Sequence, residues 1–293
     1  MTATPKSPPH IVVVGSINLD MTIRVRSLPR AGETVTNGEL HCYPGGKGAN
    51  QALAARRLGA RVSLIGCVGD DTNAADALRL LKKDGVDLAQ VTVDRDAATG
   101  VAMITVDDNA ENQIVVAPGA NRRLSPERFV IPDAAAMICQ LEVPVATLLE
   151  AAQQFTGFLC LNLAPIAEVP DALIARADLI VVNEIEAAHY GQKLHRAPGF
   201  VALTYGSRGA SLLRGASTIA KQEPPPVDAI DTTGAGDTFT AALVLALVEK
   251  QAPADALAFA CAAAALSTER AGAQPSMPRR SEVLGMLGVR ASA

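Results

Sequence analysis

Two glycine-rich stretches hold the residues best suited to chemistry. In the C-terminal half, Asp231-Thr232-Thr233-Gly234-Ala235-Gly236-Asp237 runs straight into an apolar segment from Thr238 to Lys250. Small residues at 234–236 let the backbone approach an anion closely. A helix start adds free N–H groups and the positive end of the helix dipole. A carboxylate at Asp237, in the first turn, then reaches a hydroxyl beside that anion. An amide nest and a general base at one point are what phosphoryl transfer to an alcohol requires. The same string also fits a glycine turn whose Asp and Thr merely cap a helix.

The second stretch is Gly45-Gly46-Lys47-Gly48-Ala49-Asn50, at the start of an Ala/Leu-rich segment. Its glycines let a neutral ligand lie against the backbone, and Asn50 offers a hydroxyl both a donor and an acceptor. Lys47 reads as structural or solvated rather than as a phosphate ligand. Upstream, residues 17–26 alternate strictly: Ile17, Leu19, Met21, Ile23 and Val25 are apolar, and Asn18, Asp20, Thr22, Arg24 and Arg26 are polar. Period two places Asn18 and Asp20 on one face of a strand, where they either hold vicinal hydroxyls or form the wet face of a sheet edge.

Two other phosphate sites are excluded. Gly46-Lys47 is followed by Gly48 rather than Ser or Thr, so no P-loop is present. A dinucleotide fold needs its glycine fingerprint between the first strand and a helix, whereas Gly15 leads into the alternating strand.

These residues need a scaffold, and the pattern predicts one. Short apolar runs at 11–14, 62–65, 136–141, 158–163, 179–182 and 201–204 read as buried strands. Helices are expected over 47–58, 71–84, 145–155, 237–250 and 254–270, with Gly59 and Gly85 as C-terminal caps. Their alternation implies a doubly wound, mostly parallel sheet flanked by helices, an α/β fold in one domain over 1–293. Residues 99–117 read as a hairpin turning at Asp107-Asp108-Asn109. This hairpin and the alternating strand are expected to pair as a small β lid, spanning about 17–43 and 99–117. The apolar face of the lid needs cover, from the hairpin or from a second subunit.

Composition narrows the class. A net charge of −4 without a basic run argues against a nucleic-acid partner. The five cysteines and four histidines lack metal-ligand spacing and read as buried thiols and scattered imidazoles of a reducing compartment. The Pro/Thr-rich first ten residues lack the apolar core of a signal peptide, and no apolar run is long enough to cross a bilayer. A cytoplasmic protein without a membrane partner is expected.

The chain resembles the ribokinase-like, phosphofructokinase-B type family of carbohydrate kinases. The matching stretches keep their order over nearly the whole chain. They include Gly15–Asp20, Gly45–Gln51, Gly69-Asp70-Asp71, Gly119-Ala120-Asn121, Gln140-Leu141-Glu142, Asn183-Glu184-Ile185-Glu186, Gly206–Gly209, Asp231–Phe239 and Gly272–Ser276. The resemblance implies ATP-dependent phosphorylation of D-ribose at the 5-hydroxyl. A sister kinase acting on another small sugar or a nucleoside, or a non-catalytic sugar-binding relative, is the alternative.

By the same resemblance Asp237 is the base, and Gly234, Ala235 and Gly236 form the anion hole. Asn18, Asp20, Gly45, Gly46, Lys47 and Asn50 belong to the sugar-binding set, with Glu142 nearby. Asn183 and Glu186 would organise Mg²⁺ through waters, and Asn183, Thr204, Gly206 and Gly209 would contact ATP. Asp231, Thr233, Ser267, Arg270, Gly272 and Ser276 would hold an activating K⁺ through a carboxylate and backbone carbonyls. A homodimer joined through the lids is also implied. The chain departs from the family between Glu186 and Phe200, where it is shorter by about a helix and its loop. It also carries Tyr205 where an aliphatic residue is common.

Overall fold

The computed structural model describes residues 7–109 and 111–288; most of the Pro/Thr-rich N-terminal segment therefore lies outside the described residues. From the N-terminus come β1 (His10–Val14), β2 (Asn18–Arg24), β3 (Glu39–Gly45), α1 (Lys47–Arg57), β4 (Arg61–Gly69), α2 (Thr72–Asp84) and β5 (Asp87–Asp94). The expected hairpin follows as β6 (Gly100–Val106) and β7 (Asn112–Ala117). Then come β8 (Ala136–Gln140), α3 (Val145–Gln154), β9 (Phe158–Asn162), α4 (Asp171–Arg176), β10 (Leu179–Asn183) and α5 (Glu184–Tyr190). The C-terminal third adds β11 (Phe200–Thr204), β12 (Ala210–Arg214), β13 (Ser217–Gln222), α6 (Ala235–Val248), α7 (Pro253–Leu266), α8 (Ala273–Ser276) and α9 (Arg280–Met286).

Nine strands form one sheet in the order β13-β12-β11-β10-β9-β8-β1-β4-β5. All neighbours from β5 to β11 are parallel, and β12 and β13 finish the edge antiparallel. The apolar run of β1 follows from burial on both faces. Ile11 and Val13 pack with α1, α2, α6 and α7, and Val12 and Val14 pack with α3 and α4 on the other side. Each such side chain gains roughly 1.5–3 kcal/mol from burial, so neither face tolerates a polar residue. This is the expected doubly wound architecture.

Caps set the helix limits. Asp71 accepts the Ala74 N–H at 2.9 Å and opens α2, and Gly85 closes it in the left-handed conformation at φ 73°. Helices α6 and α7 each begin and end earlier than the apolar pattern predicts. The chain leaves α7 at Leu266, and 267–272 forms turns whose backbone serves the site below.

A four-stranded sheet, β3-β2-β6-β7, stands apart from the large one. Strand β2 pairs antiparallel with β3 and parallel with β6, so it is an inner strand and not an edge. The hairpin β6–β7 therefore extends the sheet sideways and does not cover its apolar face, which corrects one of the two expected sources of cover. On that face Cys42, Met21, Met103 and Val115 form one row across all four strands. Leu40, Met103 and Val115 are 61%, 54% and 70% exposed, an apolar surface without a partner among the described residues.

Candidate active site

The two sheets meet where β1 passes into β2 and β3 passes into α1. Asn18 and Asp20 project from the start of β2 and are buried, although the wet face of an edge strand was the other reading. Asn18 Oδ1 accepts from Asn121 Nδ2 at 2.8 Å. Asn121 also grips Ile17, accepting its N–H at 2.9 Å and donating to its carbonyl at 3.2 Å. Gly45 lies under the Asp20 carboxylate so closely that a side chain there would overlap it.

Asp237 sits in the first turn of α6 and is 7% exposed. Its Oδ1 accepts from Gln51 Nε2 and its Oδ2 from Asn50 Nδ2, both at 2.9 Å. Burial raises its pKa, against the Lys47 charge and these two bonds. The amide oxygen of Asn50 is buried without a partner among the described residues, which leaves an acceptor for a ligand hydroxyl.

Gln51 is a residue that the sequence pattern hides. It lies on an Ala/Leu-rich helix, is wholly buried, and donates to Asn162 Oδ1 at 3.0 Å as well as to Asp237. Its carbonyl oxygen accepts from Gln140 Nε2 at 2.5 Å. Only the helix's N-terminal position, pointing toward the sheet's C-terminal edge, distinguishes it from a surface glutamine.

Glu142 Oε2 accepts from the Ser16 hydroxyl and from the Lys47 N–H at 3.1 Å. Asp20 is pushed up to about 7, first by burial and then by the neighbouring Glu142 and Asp237 carboxylates, with Lys47 opposing. Lys47 is not the solvated residue that its sequence context suggests. Burial pulls its ammonium down, but Asp237, Glu142, Glu186 and Asp20 together outweigh that and hold it above its ordinary value.

On the other side of α6, Gly234 forms the N-cap at φ 80°, followed by Ala235 and Gly236. A methyl added to Gly236 would meet nothing within 4 Å, so the space above the free amides is open. That space joins a cavity of about 380 Å³ lined by Thr204, Gly206, Gly209, Ala235, Gly236 and apolar side chains such as Phe239. Asn183 is the register partner of Thr204 across β10 and β11. With Glu186 it forms a capping box: Asn183 Oδ1 accepts the Glu186 N–H at 2.9 Å, and Glu186 Oε2 accepts the Asn183 N–H at 2.8 Å. Tyr205 turns away from the cavity and lies 5.6 Å from the Arg208 guanidinium. Between Glu186 and Phe200 the chain completes α5 and makes a 3₁₀ turn at Gly191–Arg196.

The 267–276 loop lies against the same helix start. Asp231 Oδ1 accepts the Thr233 N–H at 2.9 Å and Oδ2 the Gly272 N–H at 2.8 Å. Ser267 and Ser276 donate to the carbonyls of Ala264 and Ala273 at 2.7 and 2.8 Å. The Arg270 guanidinium donates to Glu282 Oε1 at 2.9 Å. Among the described residues, no backbone N–H outside the helices and strands donates to the carbonyls of Thr233 or Arg270. No cluster of three or more His, Cys, Asp or Glu among the described residues is placed to hold a metal.

Many known proteins resemble this chain in sequence and fold. The profile of the pfkB family carbohydrate kinases matches residues 8–280. A ribokinase of Haemophilus influenzae is 37% identical over 301 residues, covering 94% of this chain and 98% of that protein. A ribokinase of Bacillus subtilis is 35% identical over 292 residues, covering 95% and 99%. The crystal structure of Thermotoga maritima ribokinase superposes with a TM-score of 0.86 at 30% identity, covering 96% of this chain and 99% of that one. The structure of Arabidopsis thaliana ribokinase complexed with ribose and ATP gives 0.85 at 30% identity, covering 97% and 100%. A match across nearly the full length, with fold and sequence in agreement, places this chain in the pfkB family of carbohydrate kinases.

Proposed function

We propose that this chain transfers the γ-phosphoryl group of ATP to the 5-hydroxyl of D-ribose. The observation that carries the proposal is the buried Asp237 carboxylate, held by Asn50 and Gln51 at the open N-terminus of α6, beside an unpartnered Asn50 oxygen. Asp237 takes the hydroxyl proton as the sugar oxygen bonds to the γ-phosphorus and the bond to the β-phosphate oxygen breaks. The amides of Gly234, Ala235 and Gly236 stabilise the charge on the transferring group. Asn18, Asp20, Gly45, Gly46, Lys47, Asn50 and Glu142 hold the sugar, and Asn183, Thr204, Gly206 and Gly209 the nucleotide. Relatives named ribokinase, and the Arabidopsis complex with ribose and ATP, support the choice of substrates.

Mg²⁺ fits the Asn183–Glu186 element, because the cap engages Glu186 Oε2 and leaves Oε1 for a metal-bound water. When bound, the ion neutralises phosphate charge. K⁺ fits Asp231 Oδ2, the carbonyls of Thr233, Ser267, Arg270 and Gly272, and the Ser276 hydroxyl. The four-stranded sheet serves as the lid of a single domain, and two lids join through their exposed apolar faces in a cytoplasmic homodimer. No helix among the described residues is long and apolar enough to cross a membrane. A coupled ADP-release assay across ribose, deoxyribose, fructose and nucleosides, with and without K⁺, tests the reading. Ribose is expected to give the highest kcat/KM, with stimulation by K⁺. Turnover of another acceptor with ribose inert rejects the substrate, and equal rates in K⁺ and in a non-binding cation reject the cation site.

A further inference from the structure

Tyr43, in β3, carries the atoms nearest to a methyl built on Gly272 of the 267–276 loop. It pairs across the strands with Asp20, so both project from the same face. Its ring lies close against Gly272: a methyl added there would sit 2.7 Å from Tyr43 Cδ1 and 3.0 Å from Cε1. Gly272 adopts φ 80°, which favours glycine in any case, and its N–H is the one held by Asp231. The next residue, Ala273, packs on the N-cap of α6, where a methyl on Gly234 would come within 2.8 Å of Ala273 Cβ. Asp231 completes the circuit through the Thr233 N–H, one residue before Gly234. Contact is therefore continuous from Asp20, through the Tyr43 ring and the 272–273 loop, to the first amides of α6.

We infer that Tyr43 is a positioning residue that transmits sugar binding at Asp20 to the phosphate-binding amides at Gly234–Gly236. The inference rests on the kinase reading above. A sugar held by Asp20 fixes the root of the small sheet, where Tyr43 also lies; the ring then fixes the loop, and the loop fixes Gly234. Each ligand thus lowers the cost of ordering the loop for the other, which is positive coupling. The ring is what makes the contact. The atoms nearest Gly272 are the ring carbons Cδ1, Cε1 and Cγ and not the hydroxyl, so phenylalanine should preserve the effect.

The test is a titration of the full-length protein with a non-hydrolysable ATP analogue, followed calorimetrically with and without saturating ribose. In the native protein ribose is expected to tighten the analogue about tenfold, within the usual range for coupled sites. Tyr43→Phe should keep that factor. Tyr43→Ala should bring it below about twofold while the analogue's affinity without ribose stays within about threefold of native. A native factor near one, an undiminished factor in Tyr43→Ala, or its loss in Tyr43→Phe would each overturn the inference. Failure of native protein to bind ribose at all would instead count against the substrate reading. Thermal melts confirm that each variant is folded, and should Tyr43→Ala prove unfolded, Tyr43→Leu replaces it with the same thresholds.

Discussion

Replacing Asp237 by asparagine removes the proposed base while keeping its shape, but the neighbours make the exchange more than a loss of charge. Both carboxylate oxygens face amide donors, Asn50 Nδ2 and Gln51 Nε2. A new –NH₂ must therefore oppose one of them. Gln51 is fixed, because its nitrogen also serves Asn162 and its oxygen accepts from Gln140. Asn50 is free to turn, because its oxygen has no partner among the described residues. In Asp237→Asn the introduced carboxamide should keep its oxygen on Gln51, and Asn50 should flip to accept from the new –NH₂, at the expense of the acceptor it offers the sugar. One neutral hydrogen bond exchanged in this way is worth about 0.5–1.5 kcal/mol, so ribose should bind roughly two- to tenfold more weakly. The lost general base should lower kcat by about 10²–10⁴, or roughly 3–5 kcal/mol of barrier. Steady-state kinetics gives kcat, calorimetry gives the ribose Kd, and a melt within a few degrees of native shows the fold intact. Turnover within tenfold of native would refute Asp237 as the base, and unchanged ribose affinity would refute the flip.

The charge of Asp20 and the exposed face of the small sheet lead to further expectations. Asp20 ionises near 3.8 when exposed but near 7 in the folded chain, so the stability it contributes at low pH is lost as pH rises between those values. Asp20→Asn should therefore raise the melting temperature of the ligand-free protein at pH 8 and change it little at pH 4, and equal shifts at both would contradict this. A sugar bound by the ionised form should bind more tightly as pH rises through about 7, and Asp20→Asn should weaken ribose about 10–100-fold at pH 8. Light scattering should give a dimer mass for the native protein and a monomer mass for Val115→Glu, with stability within about 0.5 kcal/mol, as an exposed site allows. A native monomer would reject the lid-to-lid dimer.

Much of the scaffold was legible because its signals are local. The β1 run, the Asp71 and Gly85 caps and the alternation of β2 each reflect burial or backbone conformation that neighbouring residues specify. Strand β3 escaped because it holds Glu39, His41 and Pro44, and its order comes from pairing with β2 rather than from its own pattern. The β12–β13 edge escaped because its outer strand has little apolar content and needs only β12 to pair with. In the site, Asp237 and Asn50 stood out by type and spacing. Gln51 and Asn121 act on Asp237 and Asn18, respectively 186 and 103 positions away, a separation that single-chain spacing cannot express.

The position of the sugar ligands along β2 has a mechanical consequence. Asn18 and Asp20 lie at the root of the strand, whereas Arg24 lies six residues from Asn18, about 20 Å at the usual rise. Turning the small sheet by about 10° about its root would shift Asn18 by under 1 Å and the far end by about 3–4 Å. The arrangement is a lever with the ligand near its fulcrum. The grip on the sugar is therefore insensitive to the angle of the sheet, while whatever rests on its outer face, a second copy included, is carried through the whole arc.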